Sequence, residues 1–143
     1  MFLGEFQHLI DSKGRVILPA KFRDELADGL VVTKGLEDCL FVYTPAEWAK
    51  IEEKVRTMPL TNPAGRAFAR NFFSGAAKGT LDKQGRLMLP QNLREFAGLD
   101  KDVIVIGVAS RVEIWDKAKW AKYSSETEKS YSELAEQLAD LGI

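Results

Sequence analysis

The sequence predicts an α+β fold made from two copies of one small unit packed against each other. Three observations carry this. The stretch Asp11-Ser12-Lys13-Gly14-Arg15-Val16-Ile17-Leu18-Pro19 returns, 71 residues later, as Asp82-Lys83-Gln84-Gly85-Arg86-Leu87-Met88-Leu89-Pro90. Within each copy, short β-branched and aromatic runs alternate with stretches of helical apolar spacing. A unit of roughly 45 residues cannot bury a stable core alone, so the copies must pack on one another or on copies from other chains.

The repeat extends beyond the motif. The offset of 71 also aligns Phe2 with Phe73, Gly4 with Gly75 and Arg23 with Arg94. Further on, the offset becomes 72 and aligns Gly35 with Gly107, Val42 with Ile114, Tyr43 with Trp115, and Trp48 with Trp120. One residue inserted between Leu99 and Val103 accounts for the change. The organisation predicted is a first repeat over 5–51, a helical connector over 52–74, a second repeat over 75–122 and an acidic tail over 123–143.

Each copy reads in the same order. A first strand meets a tight turn, in which Asp11 or Asp82 folds its carboxylate onto turn N–H groups and Gly14 or Gly85 takes the positive φ. A short strand follows, and then Pro19 or Pro90, suited to the first turn of a helix. That helix is expected to bury Phe22 and Leu26, or Leu93 and Ala97, and to stop at Gly29 or Gly98. A hairpin comes next, of 30–33 with 40–43 or of 103–106 with 112–115. Thr44, with Pro45 and Glu47, is a capping box that opens a helix with Trp48, Ile51 and Val55 on one side. The matching helix of the second copy starts at Asp116 and buries Trp120. Asn62-Pro63 starts a connector helix on which Arg66 and Arg70 share a face. In the tail, Tyr131, Leu134, Leu138 and Leu141 recur at helical spacing among acids, so a peripheral helix is expected there, docked on the body or a partner, or frayed.

Composition narrows the function. Of 143 residues, 45% are hydrophobic and 29% charged, which is globular composition. The net charge of -1 gives no global basic field. The charge is uneven, however. From Ser124 onward the acids Glu126, Glu128, Glu133, Glu136 and Asp140 face one base, Lys129, so the body is mildly basic and the tail acidic. The single cysteine, Cys39, excludes an internal disulfide framework and fits a reducing compartment. The longest uncharged run, 57–65, is far short of the ~20 apolar residues that span a bilayer, and the start lacks a signal peptide's basic region. The chain is expected to be cytoplasmic, with no membrane partner.

An enzyme is not expected. Cys39 reads as a small apolar filler at a strand end, and His8 as a hydrogen-bonded strand residue rather than a base. The acids are scattered, so no metal site is predicted, and neither a P-loop nor a dinucleotide fingerprint appears. No catalytic residue and no cofactor are assigned.

The doubled D-x-x-G-R is the informative motif. Turn geometry accounts for Asp and Gly but not for an Arg directly after Gly in both copies. Two readings stand side by side. In one, Arg15 and Arg86 pair with the turn aspartates and buttress the hairpins. In the other they leave exposed hairpin tips to meet phosphate or a guanine edge, since a two-stranded ribbon fits the major groove. Lys13 and Lys83 share those turns, although out of register.

These residues bring a family into view. With Phe2 and Gly4 at the start, Asp11/Arg15 and Asp82/Arg86, the Leu-Pro steps at Pro19 and Pro90, and Trp48 and Trp115, the chain from Met1 to about Lys122 resembles the MraZ family, bacterial regulators of the division and cell wall gene cluster. The resemblance implies two AbrB-like swapped-hairpin repeats that form one pseudo-symmetric β-barrel with peripheral helices. It implies a nucleoid-associated homo-oligomeric ring, with octamer as the working number, and DNA binding at repeated promoter boxes. It assigns DNA contact to Arg15, with Arg86 as its counterpart, flanked by Lys13 and Lys83. Gln84 stands where Lys13 stands in register, so unequal contributions from the two copies are expected. The rival reading is a ring-forming protein-interaction scaffold in which D-x-x-G-R only closes hairpins. An AbrB-like antitoxin is a third, which the duplicated body and modest tail disfavour.

Overall fold

The structure is a computed structural model that describes residues 1–142; the last residue of the predicted tail, Ile143, lies outside them. The elements run β1 Phe2–Leu9, β2 Arg15–Ile17, α1 Ala20–Arg23, β3 Leu30–Lys34, β4 Leu40–Tyr43, α2 Pro45–Arg56, α3 Pro63–Ser74, β5 Ala77–Gly79, β6 Arg86–Met88, α4 Gln91–Ala97, β7 Asp102–Ala109, β8 Arg111–Asp116, α5 Lys117–Glu128 and α6 Tyr131–Gln137, followed by a 3₁₀ turn Ala139–Leu141.

Neither half owns its own sheet. The six-stranded antiparallel sheet has the order β1-β7-β8-β4-β3-β5. β1 from the first copy therefore lies on β7 of the second, from Phe2 opposite Ala109 to Leu9 opposite Asp102. β5 from the second copy lies on β3 of the first, and β4 pairs with β8 at the centre. A second sheet has only two strands, β2 and β6. Val16 there faces Leu87, its own counterpart in the repeat, so a pseudo-twofold axis runs through this ribbon. β2 continues from one edge of the large sheet and β6 from the other, and a bridge from Ile10 to Val16 ties β2 back to β1.

Alternation sorts the side chains of the large sheet into two layers. Leu40, Val42, Val103, Val105, Val112 and Ile114 face an inner core, closed by Phe22, Leu26, Leu93 and Ala97 and by Val16 and Leu87 of the ribbon. Phe41, Tyr43, Ile104, Ile106 and Trp115 face the other way, onto α2, α3 and α5. Apolar positions on both faces make these strands read as near-continuous hydrophobic runs. In the outer layer Trp48 stacks on Phe72 at 5.4 Å between ring centroids, and Trp115 on Tyr123 at 5.0 Å.

Several local expectations hold. Thr44 Oγ1 accepts from Glu47 N at 3.2 Å, Asn62 Oδ1 from Gly65 N at 3.1 Å, and an Asp116 carboxylate oxygen from Lys119 N at 3.1 Å. Gly98 ends α4 in the left-handed conformation. Others differ. The first-copy helix is only four residues long. Past it, Leu26 N and Ala27 N bond three residues back, to Arg23 and Asp24, a tighter winding that still buries Phe22 and Leu26. The equivalence of Phe2 with Phe73 and Gly4 with Gly75 does not extend to conformation. Phe2 and Gly4 lie in β1, whereas Phe73 lies in α3 and Gly75 caps it, because the connector helix runs on to Ser74 and leaves β5 only three residues. Trp120 is half-buried rather than buried, and donates through Nε1 to Glu5. α6 forms but buries no residue.

One carboxylate lies inside the outer layer. Glu113 accepts from Trp115 Nε1 at 2.9 Å and from Arg111 Nε at 2.8 Å, while the Arg111 guanidinium covers the Phe41 ring at 4.5 Å. Glu113→Ala strands both donors. It should cost about 2–3 kcal/mol in urea unfolding, less than a fully buried pair would, because Arg111 keeps part of its guanidinium in water. An unchanged midpoint would show that the pair contributes nothing.

Candidate nucleic-acid interface

The two D-x-x-G-R turns are built alike. In the first, Gly14 N donates to Asp11 O at 3.0 Å and Asp11 N to Arg15 O at 2.9 Å, with Gly14 at φ 82°. Asp11 Oδ1 accepts from Lys13 N and Arg15 N at 2.9 and 3.0 Å, and Oδ2 accepts from Arg15 Nε at 2.7 Å. In the second, Asp82 Oδ1 accepts from Gln84 N and Arg86 N at 3.0 and 2.8 Å, and Oδ2 from Arg86 Nε at 2.6 Å; Gly85 has φ 76°. This is the three-residue hairpin loop with glycine in the left-handed region. Backbone N–H donation, with the arginine as a further contribution, lowers the Asp11 carboxyl from its ordinary 3.8 to about 2 and lowers Asp82 as well.

The buttressing pair is thus present in both copies, and Arg15 and Arg86 are not at the tips. Their side chains are each 25% exposed, held at the start of the ribbon strands by the turn carboxylates. The exposed tip residues are Ser12, Lys13, Lys83 and Gln84. The pairing uses only Nε. Among the described residues, the terminal Nη atoms of Arg15 and Arg86 have no hydrogen-bond partner, so each guanidinium keeps its outer edge for another acceptor. Arg15 faces Met88 and Arg86 faces Ile17. The two arginines are therefore diagonal neighbours on one face of the ribbon, about 7 Å apart. That face also carries Ile17 and Met88, 41% and 52% exposed, while Val16 and Leu87 point into the core.

Two further arginines complete the cluster. Arg94 donates from Nε to Leu89 O at 3.1 Å and lies over Gly14 of the other copy; a Cβ there would sit 2.7 Å from its Cζ. Arg23 donates to Leu18 O at 3.1 Å and lies over Gly85 in the same way. Leu18 N donates to Gly85 O and Leu89 N to Gly14 O, both at 3.0 Å, so each turn is clamped by the opposite copy. Arg23 and Arg94 were visible in the sequence as a repeated pair but carried no motif. Ile17 and Met88 were visible as the positions two after each motif arginine.

Cys39 is buried, its thiol raised well above the ordinary range by burial and the nearby Glu113. His8 corrects an expectation: its Nε2 is buried without a hydrogen-bond partner among the described residues. Burial and the neighbouring Arg23 hold it below the usual histidine range. Among the described residues no group of three or more His, Cys, Asp or Glu could hold a metal ion, and no helix is long and apolar enough to cross a membrane.

Comparison with known proteins decides the family. The family described as "MraZ protein, putative antitoxin-like" matches twice, over residues 1–71 and 72–141. The chain belongs to the MraZ family. It is 56% identical over 141 residues to the transcriptional regulator MraZ of Desulforamulus reducens, covering 99% of each chain. It is 54% identical to that of Acetivibrio thermocellus and 57% to that of a Desulfitobacterium hafniense strain, each over 143 residues and all of both chains. These MraZ relatives are named as regulators of transcription, not as enzymes, and the twofold family match falls on the internal duplication.

Two predictions follow from the turns. Gly14→Val places a β-branched residue at positive φ and against Arg94, and should lower stability by at least ~1–3 kcal/mol; wild-type melting would refute this turn geometry. The second concerns pH. A carboxyl lowered in the folded state stabilises fully above its unfolded pKa, and that contribution is lost as pH falls through the folded value. The stability gap between wild type and Asp11→Asn should therefore be complete at pH 6 and shrink from about pH 3.8 towards about pH 2. Urea unfolding at pH 6, 4 and 3 measures it. A gap that widens on acidification contradicts the assignment.

Proposed function

We propose that the protein is a sequence-specific DNA-binding transcriptional regulator that reads repeated boxes upstream of the division and cell wall operon with its D-x-x-x-R hairpins. The observation that carries this reading is the ribbon face on which Arg15 and Arg86 lie diagonally, each with a free Nη edge. A two-stranded ribbon fits the major groove. A guanidinium fixed through Nε is oriented in advance for the O6 and N7 of guanine, and Ile17 and Met88 offer apolar contact to a thymine methyl. Lys13 and Lys83 at the tips, with Arg23 and Arg94 packed against the turns, supply phosphate contacts that fix register. The repeats 5–51 and 75–122 are the two reading halves, joined by the connector 52–74, with the tail 123–143 outside the DNA face. We take the halves to close into one pseudo-symmetric barrel, a reading supported by the ribbon, whose β2 follows β1 at one edge of the large sheet and whose β6 follows β5 at the other.

A net charge of -1 does not hold DNA by its overall field. We infer that the chains assemble into a ring, with eight copies as the working number, that gathers these cations on one rim and makes a local field regardless of the total. Several weak contacts to successive boxes then add through effective concentration, and keep the protein on the nucleoid.

The test is binding to DNA with one, two, three and four boxes over a range of salt. Affinity should rise steeply with box number, and log K should fall with log salt at about -0.9 per phosphate neutralised. Arg15→Ala should keep the fold, because Asp11 still accepts two turn N–H groups, and should lose ~1–3 kcal/mol per bidentate contact. One box bound as tightly as four would refute the ring as reader, and unchanged binding by Arg15→Ala would remove that residue from the interface. Failure to bind any operon DNA would favour the scaffold.

A further inference from the structure

The acidic tail and the connector are opposite in charge and alike in apolar exposure. On α6 and the turn after it, Tyr131, Leu134, Leu138 and Leu141 are 73%, 42%, 48% and 69% exposed. They recur at helical spacing beside Glu133, Glu136 and Asp140. No residue of α6 is fully buried in its own chain. The elbow between α2 and α3 is the complement. From Lys54 to Arg70 the chain carries Lys54, Arg56, Arg66 and Arg70 and no acid. A groove there is lined by Val55, Met58, Leu60, Ala69, Arg66 and Arg70. Leu60, in the loop between the two helices, is 83% exposed, and Phe68 on α3 43%. Arg66 spends one N–H on Leu60 O; Arg70 is exposed, with no ion pair among the described residues.

We propose that the α2–α3 elbow of one copy receives the α6 segment of the next, with Leu134 and Leu138 over the groove and Glu133 and Glu136 against Arg66 and Arg70. The contact joins two different patches of the same chain, so it is heterologous and propagates head to tail, closing into a ring when the rotation per copy allows it. This deepens the ring reading above and rests on it. It also gives the acidic tail a role away from the DNA face, where its charge would otherwise repel phosphate.

The test uses full-length protein and native mass spectrometry. Arg66→Glu with Arg70→Glu, and separately Glu133→Arg with Glu136→Arg, should each bring the mass down to that of the 16.0 kDa chain, with unchanged circular dichroism. All four changes in one chain should restore the assembly. Mixing the two double variants should restore it as well, with the two proteins alternating, which a contact within one chain cannot do. An assembled wild type whose mass neither double variant alters overturns the elbow contact and leaves the ring standing. A wild type that is itself a single chain overturns both.

Discussion

Main-chain hydrogen bonds cross between the halves of this protein along its paired strands, and two more, from Leu18 N to Gly85 O and from Leu89 N to Gly14 O, tie each turn to the opposite half. The rest of the structure depends on that crossing. Each half supplies a turn that the other completes, and each supplies an edge strand that pairs with a strand of the other, β1 on β7 and β5 on β3. A unit too small to bury its own core thereby becomes half of one continuous core, in which Val16 and Leu87 meet on the axis.

The crossing explains the composition of the motif. Glycine is required at Gly14 and Gly85 twice over: the turn needs a positive φ, and the Arg94 or Arg23 side chain occupies the space a Cβ would fill. Aspartate is required because one carboxylate satisfies two turn N–H groups and an arginine Nε at once. The arginine is then oriented by the same pair that closes the turn. Structural and recognition roles for Arg15 and Arg86 are therefore compatible, since the first consumes Nε and the second needs only the outer edge of the guanidinium.

Much of this was legible in the sequence. The duplication, the turn type, the hairpins and the capping residues Thr44, Asn62 and Asp116 all follow from local chemistry, and the structure places them as read. What local chemistry could not supply was the partner of each strand. That β1 pairs with β7 rather than within its own half depends on long-range register, and Gly4 opposite Gly107 is a pairing no motif announces. The shortening of β5 was hidden for a similar reason: Phe73 and Gly75 match Phe2 and Gly4 by type, but the connector helix claims them. At the site, the motif marked Arg15 and Arg86 but not their setting. Their place behind the tips and the cover of Arg23 and Arg94 over the opposite turns arise only once the two copies interlock.

The measurement closest to the central claim is amide hydrogen exchange at Leu18 and Leu89, followed residue by residue under native conditions. If the turns are part of the interlocked core, both amides open only with global unfolding, in the same slow class as Val105 of β7 in the large sheet. Exchange at Leu18 and Leu89 far faster than at Val105 would mean that the ribbon opens while the sheet stays intact. The turns would then be appendages of an independently stable body, which contradicts the account.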